Sequence, residues 1–169
     1  MSGIRLFYAS TTGATRRIAE MVAKELGGDD LRAEQIIYAE PDDFLEASGL
    51  VLGISTWEEG APHPDWEDFI EKLEGVCLRG KTVALFGLGD QKGYSGEFLG
   101  GMGVLYDRLV ACRARIIGSW PLEGYDFERS GAVRDGCFVG LAIDEENQAD
   151  LSEERVRSWV ASIRSEMAK

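Results

Sequence analysis

The chain has 169 residues, 44% apolar and 28% charged, which suits a single water-soluble domain with a full core (1–169) rather than a disordered or fibrous chain. A formal net charge of −12 excludes nucleic acid and anionic membranes as natural partners and favours encounters with basic proteins. No apolar run approaches the ~20 residues of a membrane span, and Met1-Ser2-Gly3-Ile4-Arg5 lacks the pattern of a secretory signal, so a cytoplasmic protein is expected.

Ile4-Arg5-Leu6-Phe7-Tyr8 reads as a strand, and Ile18, Ala19, Met21, Val22 and Leu26 repeat as the apolar face of a helix. Between them, Ser10-Thr11-Thr12-Gly13-Ala14-Thr15 is a strand-to-helix turn rich in hydroxyls. A helix N-terminus presents free N–H groups and a partial positive charge, hydroxyls add short donors, and Gly13 has no Cβ to hold an anion away. No Lys lies within this loop, so it is not a Walker A loop, and it does not match the dinucleotide fingerprint G-x-G-x-x-G. It suits a terminal monophosphate seated on uncharged donors.

Leu31 to Ile37 is expected as a second strand and Asp42 to Ala47 as a short helix. Leu50-Val51-Leu52-Gly53-Ile54 is continuously apolar, as in a strand buried on both faces. A Gly- and Pro-containing loop, Ser55 to Pro64, follows; the only histidine, His63, lies in it between two prolines, so neither a His-rich metal site nor a Ser-His-Asp triad is supported. Trp66, Phe69, Ile70 and Leu73 make a helical face, and Thr82 to Phe86 is another buried strand. After the Gly-rich loop Gly87 to Gly96 come a helical face at Phe98, Met102, Leu105, Tyr106 and Leu109 and a strand starting at Ala114. Pro121 to Cys137 is polar with no clear period; Phe138 to Ile143 reads as strand, and Leu151 to Met167 as a last helix capped by Ser152. Cys77, Cys112 and Cys137 form no C-x-x-C and read as free thiols.

Strands alternating with helices imply a doubly wound α/β domain with a parallel sheet. Ligands of such sheets bind beyond the carboxyl ends of the strands, where the hydroxyl stretch, Ser55 to Pro64 and Gly87 to Gly96 gather. Trp57 and Tyr94 offer two aromatic faces for a flat ligand, each stack contributing on the order of 1 kcal/mol beyond area burial. Gly87, Gly89 and Gly93 let backbone approach a ring edge, and Asp90 adds an acceptor for a ring N–H. A phosphate at one end and a planar ring at the other describe a mononucleotide with a spacer.

These motifs resemble the flavodoxin family, of the long-chain type. Ser10 to Thr15 is similar to its phosphate loop; Thr56-Trp57-Glu58-Glu59-Gly60 with Asp65-Trp66 to its second loop; Gly87-Leu88-Gly89-Asp90-Gln91 with Gly93-Tyr94 to its third; and Gly124-Tyr125-Asp126-Phe127 with the run from Phe138 to Gln148 to the long-chain insertion and the strand after it. The resemblance implies a flavodoxin-like five-stranded parallel sheet of order 2-1-3-4-5 with an insertion (about 121–137) in the last strand. It also implies a monomeric electron carrier, not an enzyme, with non-covalent FMN and no metal. On that footing Ser10, Thr11, Thr12, Gly13, Ala14 and Thr15 bind phosphate, Trp57 and Tyr94 flank the ring within a site that includes Ser55, Thr56, Glu58, Glu59, Gly60, Leu88, Gly89 and Phe98, backbone around Asp90, Glu97 and Leu99 meets the pyrimidine edge, and Glu146 lies near the ribityl chain.

A chain this acidic, with Lys92 the only cation in the three loops, disfavours the anionic hydroquinone: a unit charge about 8 Å away at an effective dielectric of 20 contributes roughly 2 kcal/mol. The neutral semiquinone is spared, so a low-potential carrier shuttling between these two states is expected. The acidic residues Glu58, Glu59, Asp65, Asp144, Glu145 and Glu146 are expected around the exposed flavin edge, docking basic redox proteins (a reductase-type donor and a low-potential acceptor enzyme). Two positions depart from the family pattern. Glu58 stands where Gly or Asn is common and tolerates positive φ poorly. Gly100-Gly101 replaces Asp-Ala, which predicts an uncapped, softer helix start. The competing expectation, an FMN-dependent NAD(P)H or quinone reductase, needs a second nucleotide site, and no spare glycine fingerprint or 2′-phosphate cations accompany these loops. A receiver-type signalling domain would need acidic residues where Ala9, Ser10 and Ser55 stand.

Overall fold

The computed structural model describes residues 3–167. In chain order its elements are β1 (Ile4–Tyr8), α1 (Ala14–Gly27), β2 (Ala33–Gln35), α2 (Pro41–Glu46), β3 (Gly49–Ser55), α3 (Pro64–Lys72), β4 (Thr82–Leu88), α4 (Gly100–Ala111), β5 (Arg115–Ile117), β6 (Trp120–Pro121), β7 (Val133–Arg134), β8 (Cys137–Phe138), β9 (Leu141–Ile143) and α5 (Ala149–Met167). The parallel sheet runs β2-β1-β3-β4-β5, the expected order. Its fifth position is shared: β5 pairs with the first half of β4, Thr82 to Ala84, and β9 with the second half, Phe86 to Leu88. The chain between them makes an antiparallel ribbon, β6-β8-β7, so the insertion does interrupt the last strand.

The continuous apolar runs follow from burial on both faces of a period-two element. On β3, Leu50, Leu52 and Ile54 pack toward α2, α3 and α4, while Val51 packs toward α1 and α5. On β4, Val83 and Leu85 face the first layer and Ala84, Phe86 and Leu88 the second. Ile18 and Val22 of α1 and Val156, Trp159 and Ile163 of α5 complete that second layer. Gly53 is required by this packing: a Cβ there would lie 2.1 Å from the Phe86 ring. The insertion belongs to the opposite layer, where Tyr125, Phe127 and Phe138 cluster around Phe98. The Tyr125 hydroxyl donates to the Ala142 carbonyl (2.6 Å) and accepts from Trp120 Nε1 (2.9 Å), and burial pushes its pKa up to about 12.

Three expected elements differ in detail. The second strand is shorter, because Ile36–Tyr38 winds into a 3-10 turn that buries Ile36 and leaves Tyr38 82% exposed. The run from Phe138 to Ile143 is two strands, not one. It breaks at Gly140, whose backbone passes so close to β4 that a Cβ would lie 2.2 Å from the Leu85 carbonyl oxygen. Ser152 does not cap the last helix, which begins at Ala149; its buried hydroxyl instead donates to Glu145 Oε2 at 2.6 Å. The cysteines are free, with Cys112 buried and its thiol donating to the Leu73 carbonyl.

Candidate functional site

The loops after β1, β3 and β4 converge at the carboxyl edge of the sheet and enclose a groove of about 380 Å³. The groove is lined by Ser10, Thr11, Thr12, Ala14 and Thr15 from the first loop, Ser55, Thr56 and Trp57 from the second, Leu88, Gly89, Asp90 and Tyr94 from the third, and Glu145 and Glu146 from the segment after β9.

At the first loop, Gly13 adopts φ 95°, a left-handed conformation that glycine takes without strain, and no side chain caps α1. The loop closes on itself, since the Gly13 N–H donates to Ser10 Oγ (3.0 Å). The first helical bond runs from Arg17 N–H to the Gly13 carbonyl (3.0 Å), so the preceding N–H groups have no partner within the helix. No acidic residue stands in that first turn. Unpaired N–H groups, neutral hydroxyls and a positive helix end together fit a phosphate monoester.

The second loop is shaped by partners from elsewhere. Thr56 N–H donates to the Leu88 carbonyl (3.2 Å), Trp57 N–H to that of Ala61 (2.7 Å), and Gly60 N–H to that of Trp57 (3.2 Å). Positive φ falls on Glu59 (57°) and Gly60 (74°), while Glu58 stays outside that region. Gly100 and Gly101 prove to be a close-approach pair. A Cβ at Gly100 would lie 2.7 Å from the Gly60 carbonyl oxygen, and one at Gly101 2.9 Å from that of Ser55. Nor is the start of α4 without a cap: the Gly101 N–H donates to Thr56 Oγ1 at 3.0 Å. A hydroxyl from a distant loop thus replaces the missing local cap, which leaves the two glycines themselves as the remaining ground for a softer helix start.

In the third loop the Asp90 carboxylate serves its own turn. Its Oδ1 accepts from the N–H groups of Gly93 (2.7 Å) and Lys92 (3.2 Å) and from Asn147 Nδ2 (2.8 Å). The Gly93 N–H is the chief cause that holds this carboxyl below the usual carboxylate range. With Oδ1 so occupied, Oδ2 is the oxygen of this carboxylate that keeps its lone pairs for another donor. Asp144, placed by sequence among the exposed docking acids, is fully buried. Its oxygens accept from Gln91 N (3.1 Å) and Nε2 (2.7 Å), Glu146 N (3.1 Å), and Asn147 N (3.0 Å) and Nδ2 (2.9 Å), clamping the third loop to the segment after β9. A buried carboxylate satisfied by this many donors cannot also meet a partner.

Of the remaining expected site residues, Glu58 and Glu59 are exposed beside the groove and Gly60 packs against α4. Gly13 shapes the first loop without lining the groove. Phe98 and Leu99 carry side chains in the core, and the Phe98 N–H is taken by the Arg129 carbonyl (3.2 Å). Glu97 donates its N–H to the Tyr94 carbonyl (3.0 Å). Glu145 lines the groove, pairs with Arg17 and receives the Ser152 hydroxyl; sequence reading had counted it only as a docking acid. Trp57 and Tyr94 are 41% and 54% exposed, which leaves their aromatic faces available.

His63 joins two of these walls, though the sequence marked it only as a loop residue. It is 4% exposed, accepts the Asp65 N–H at Nδ1 (3.1 Å) as the cap of α3, and places Nε2 2.8 Å from Thr11 Oγ1. Its ring stands edge-on to Trp57, with centroids 5.1 Å apart.

The Flavodoxin family profile matches residues 6–159. The chain belongs to the flavodoxin family. It is similar to a flavodoxin of Synechocystis sp., 45% identical over 165 residues and covering 97% of both chains, and to one of Klebsiella pneumoniae, 43% identical and covering 97% of this chain and 98% of the relative. Among solved structures it resembles Fusobacterium nucleatum flavodoxin bound to flavin mononucleotide, with a TM-score of 0.91 and 32% identity over 98% of this chain and 99% of that one. Its length and the ribbon between β5 and β9 accord with a long-chain flavodoxin. No helix among the described residues is long and apolar enough to cross a membrane, and none of their His, Cys, Asp and Glu side chains cluster as a metal site would require.

Proposed function

We propose that this flavodoxin is a low-potential one-electron carrier, an electron-transfer protein rather than an enzyme, holding FMN non-covalently as a single cytoplasmic domain that acts as a monomer. The observation that carries this is the groove itself: an uncapped helix start with neutral donors at one side, and two uncovered aromatic side chains among its other walls. Family membership and an FMN-bound relative of the same fold support the same ligand.

Ser10 to Thr15 hold the phosphate through N–H groups and hydroxyls. Trp57 and Tyr94 flank the ring and exclude water from its faces. Backbone near Asp90, Glu97 and Leu99 meets the pyrimidine edge, and Glu146 stands by the ribityl chain. When bound, FMN supplies one-electron chemistry between a half-reduced neutral state and a fully reduced anionic one. The protein's part is electrostatic: Glu145 and Glu146 line the groove, Glu58 and Glu59 lie beside it, and the chain carries a net −12, so negative charge gathering on the ring is opposed.

Titration of the ligand-free chain with FMN tests the reading. Stoichiometric quenching of flavin fluorescence below micromolar concentrations is expected, with a second one-electron potential lower than that of free FMN. A chain that ignores micromolar FMN ends the proposal. The exposed acids Glu58, Glu59 and Glu146, with the half-buried Asp65 but without Asp144 and the paired Glu145, dock a basic redox partner, so its association rate rises as ionic strength falls; a rate indifferent to salt removes the docking role.

A further inference from the structure

We infer that His63 is a positioning residue: its ring aims the Thr11 hydroxyl into the phosphate side of the groove and braces that side against Trp57. The inference rests on the FMN reading above and assigns a role to a side chain outside the groove lining.

The proton positions follow from one backbone group. An amide N–H can only donate, so the Asp65 N–H at 3.1 Å requires a lone pair on His63 Nδ1. A neutral imidazole then carries its proton on Nε2. Burial favours the neutral ring by disfavouring the charged one. At 2.8 Å, Nε2–H donates and Thr11 Oγ1 accepts. The Thr11 oxygen thus receives a hydrogen bond from behind while its own O–H stays free to donate. Thr11 lines the groove, so an anion seated there is the acceptor that O–H can serve. A chain of donors in one direction also strengthens each link.

The ring is held for this task. Pro64 at the first position of α3 and buried Pro62 restrict the backbone on both sides. The edge-on contact with Trp57 means that any shift of the imidazole disturbs the aromatic wall as well. A histidine present only to cap α3 would need Nδ1 and nothing more.

Two substitutions separate the ring's two nitrogens. His63→Asn keeps an acceptor near the Nδ1 position, and with it the helix cap, but cannot reach Thr11. His63→Gln carries an amide N–H out to the Nε2 position. One lost hydrogen bond to a group that donates to an anion predicts FMN binding about 10-fold weaker in His63→Asn. Riboflavin, which lacks the phosphate, should lose clearly less affinity than FMN in that variant, its loss reflecting only the missing ring edge at Trp57. His63→Gln should recover most of the FMN affinity. Thr11→Val, which removes the donor itself, should weaken FMN binding at least as much as His63→Asn, and the double variant His63→Asn/Thr11→Val should be no weaker than Thr11→Val alone. Urea unfolding of ligand-free His63→Asn checks that the cap survives. Full FMN affinity in His63→Asn, equal losses for FMN and riboflavin, or losses that multiply in the double variant would each overturn the inference. Failure of the parent chain to bind FMN would instead bring down the flavin reading on which the inference stands.

Discussion

The first and second loops of the groove are built by different means. The loop 10–15 closes through a bond spanning three residues, from Gly13 N–H to Ser10 Oγ, and a Cβ added at Gly13 would meet nothing within 4 Å. The loop 55–62 takes its shape from Leu88 of β4, from the start of α4, and from bonds across its own base. Apart from Thr11, which His63 ties to the second loop, the first loop can be altered with little consequence beyond itself. A loop closed by distant elements transmits any change in those elements to the ligand.

Substituting the glycines on each side should break this comparison most clearly. In Gly100→Val the new Cβ meets the Gly60 backbone, which cannot rotate aside. Overpacking of this kind costs about 1–3 kcal/mol, so the urea midpoint should fall while FMN and riboflavin both bind more weakly. Gly13→Ala is opposed only by its φ of 95°, worth about 1 kcal/mol. Its effect should be confined to FMN and leave riboflavin binding intact. A Gly13→Ala chain that loses both ligands equally would show that a change in the first loop reaches the walls that hold the ring.

The smallest expected effect is on pH dependence, and it sharpens the point because His63 spans the two loops. Burial lowers its folded pKa below the ordinary 6.5. Above that value both folded and unfolded rings are neutral and contribute no difference. As pH falls through 6.5 the unfolded ring takes up a proton first, so stability declines until the folded pKa is passed, then levels. Urea midpoints measured between about pH 7 and about pH 5.5 should therefore drop further in the parent chain than in His63→Asn. Identical drops would remove His63 from the account.

The sequence by itself determined the sheet and the materials of the groove. Buried strands announce themselves because Leu50 to Ile54 and Val83 to Phe86 must be apolar on both faces, and the hydroxyl loop is legible because strand, turn and helix start are contiguous. Trp57 and Tyr94 could be picked out because large aromatics in glycine-rich loops have few local uses. What only the tertiary structure decided was the partner of each polar group. Asp144 and Glu145 are neighbours of one type, yet one is buried under backbone donors and the other lines the groove beside Arg17. Asp90 spends a carboxylate oxygen on its own turn, Gly100-Gly101 serves close packing, and His63 reaches Thr11 across 52 residues. Apolar periodicity is written along the chain, because water is excluded from whole faces of an element. A hydrogen bond acts only over about 3 Å, so its partner is set when folding brings distant segments together.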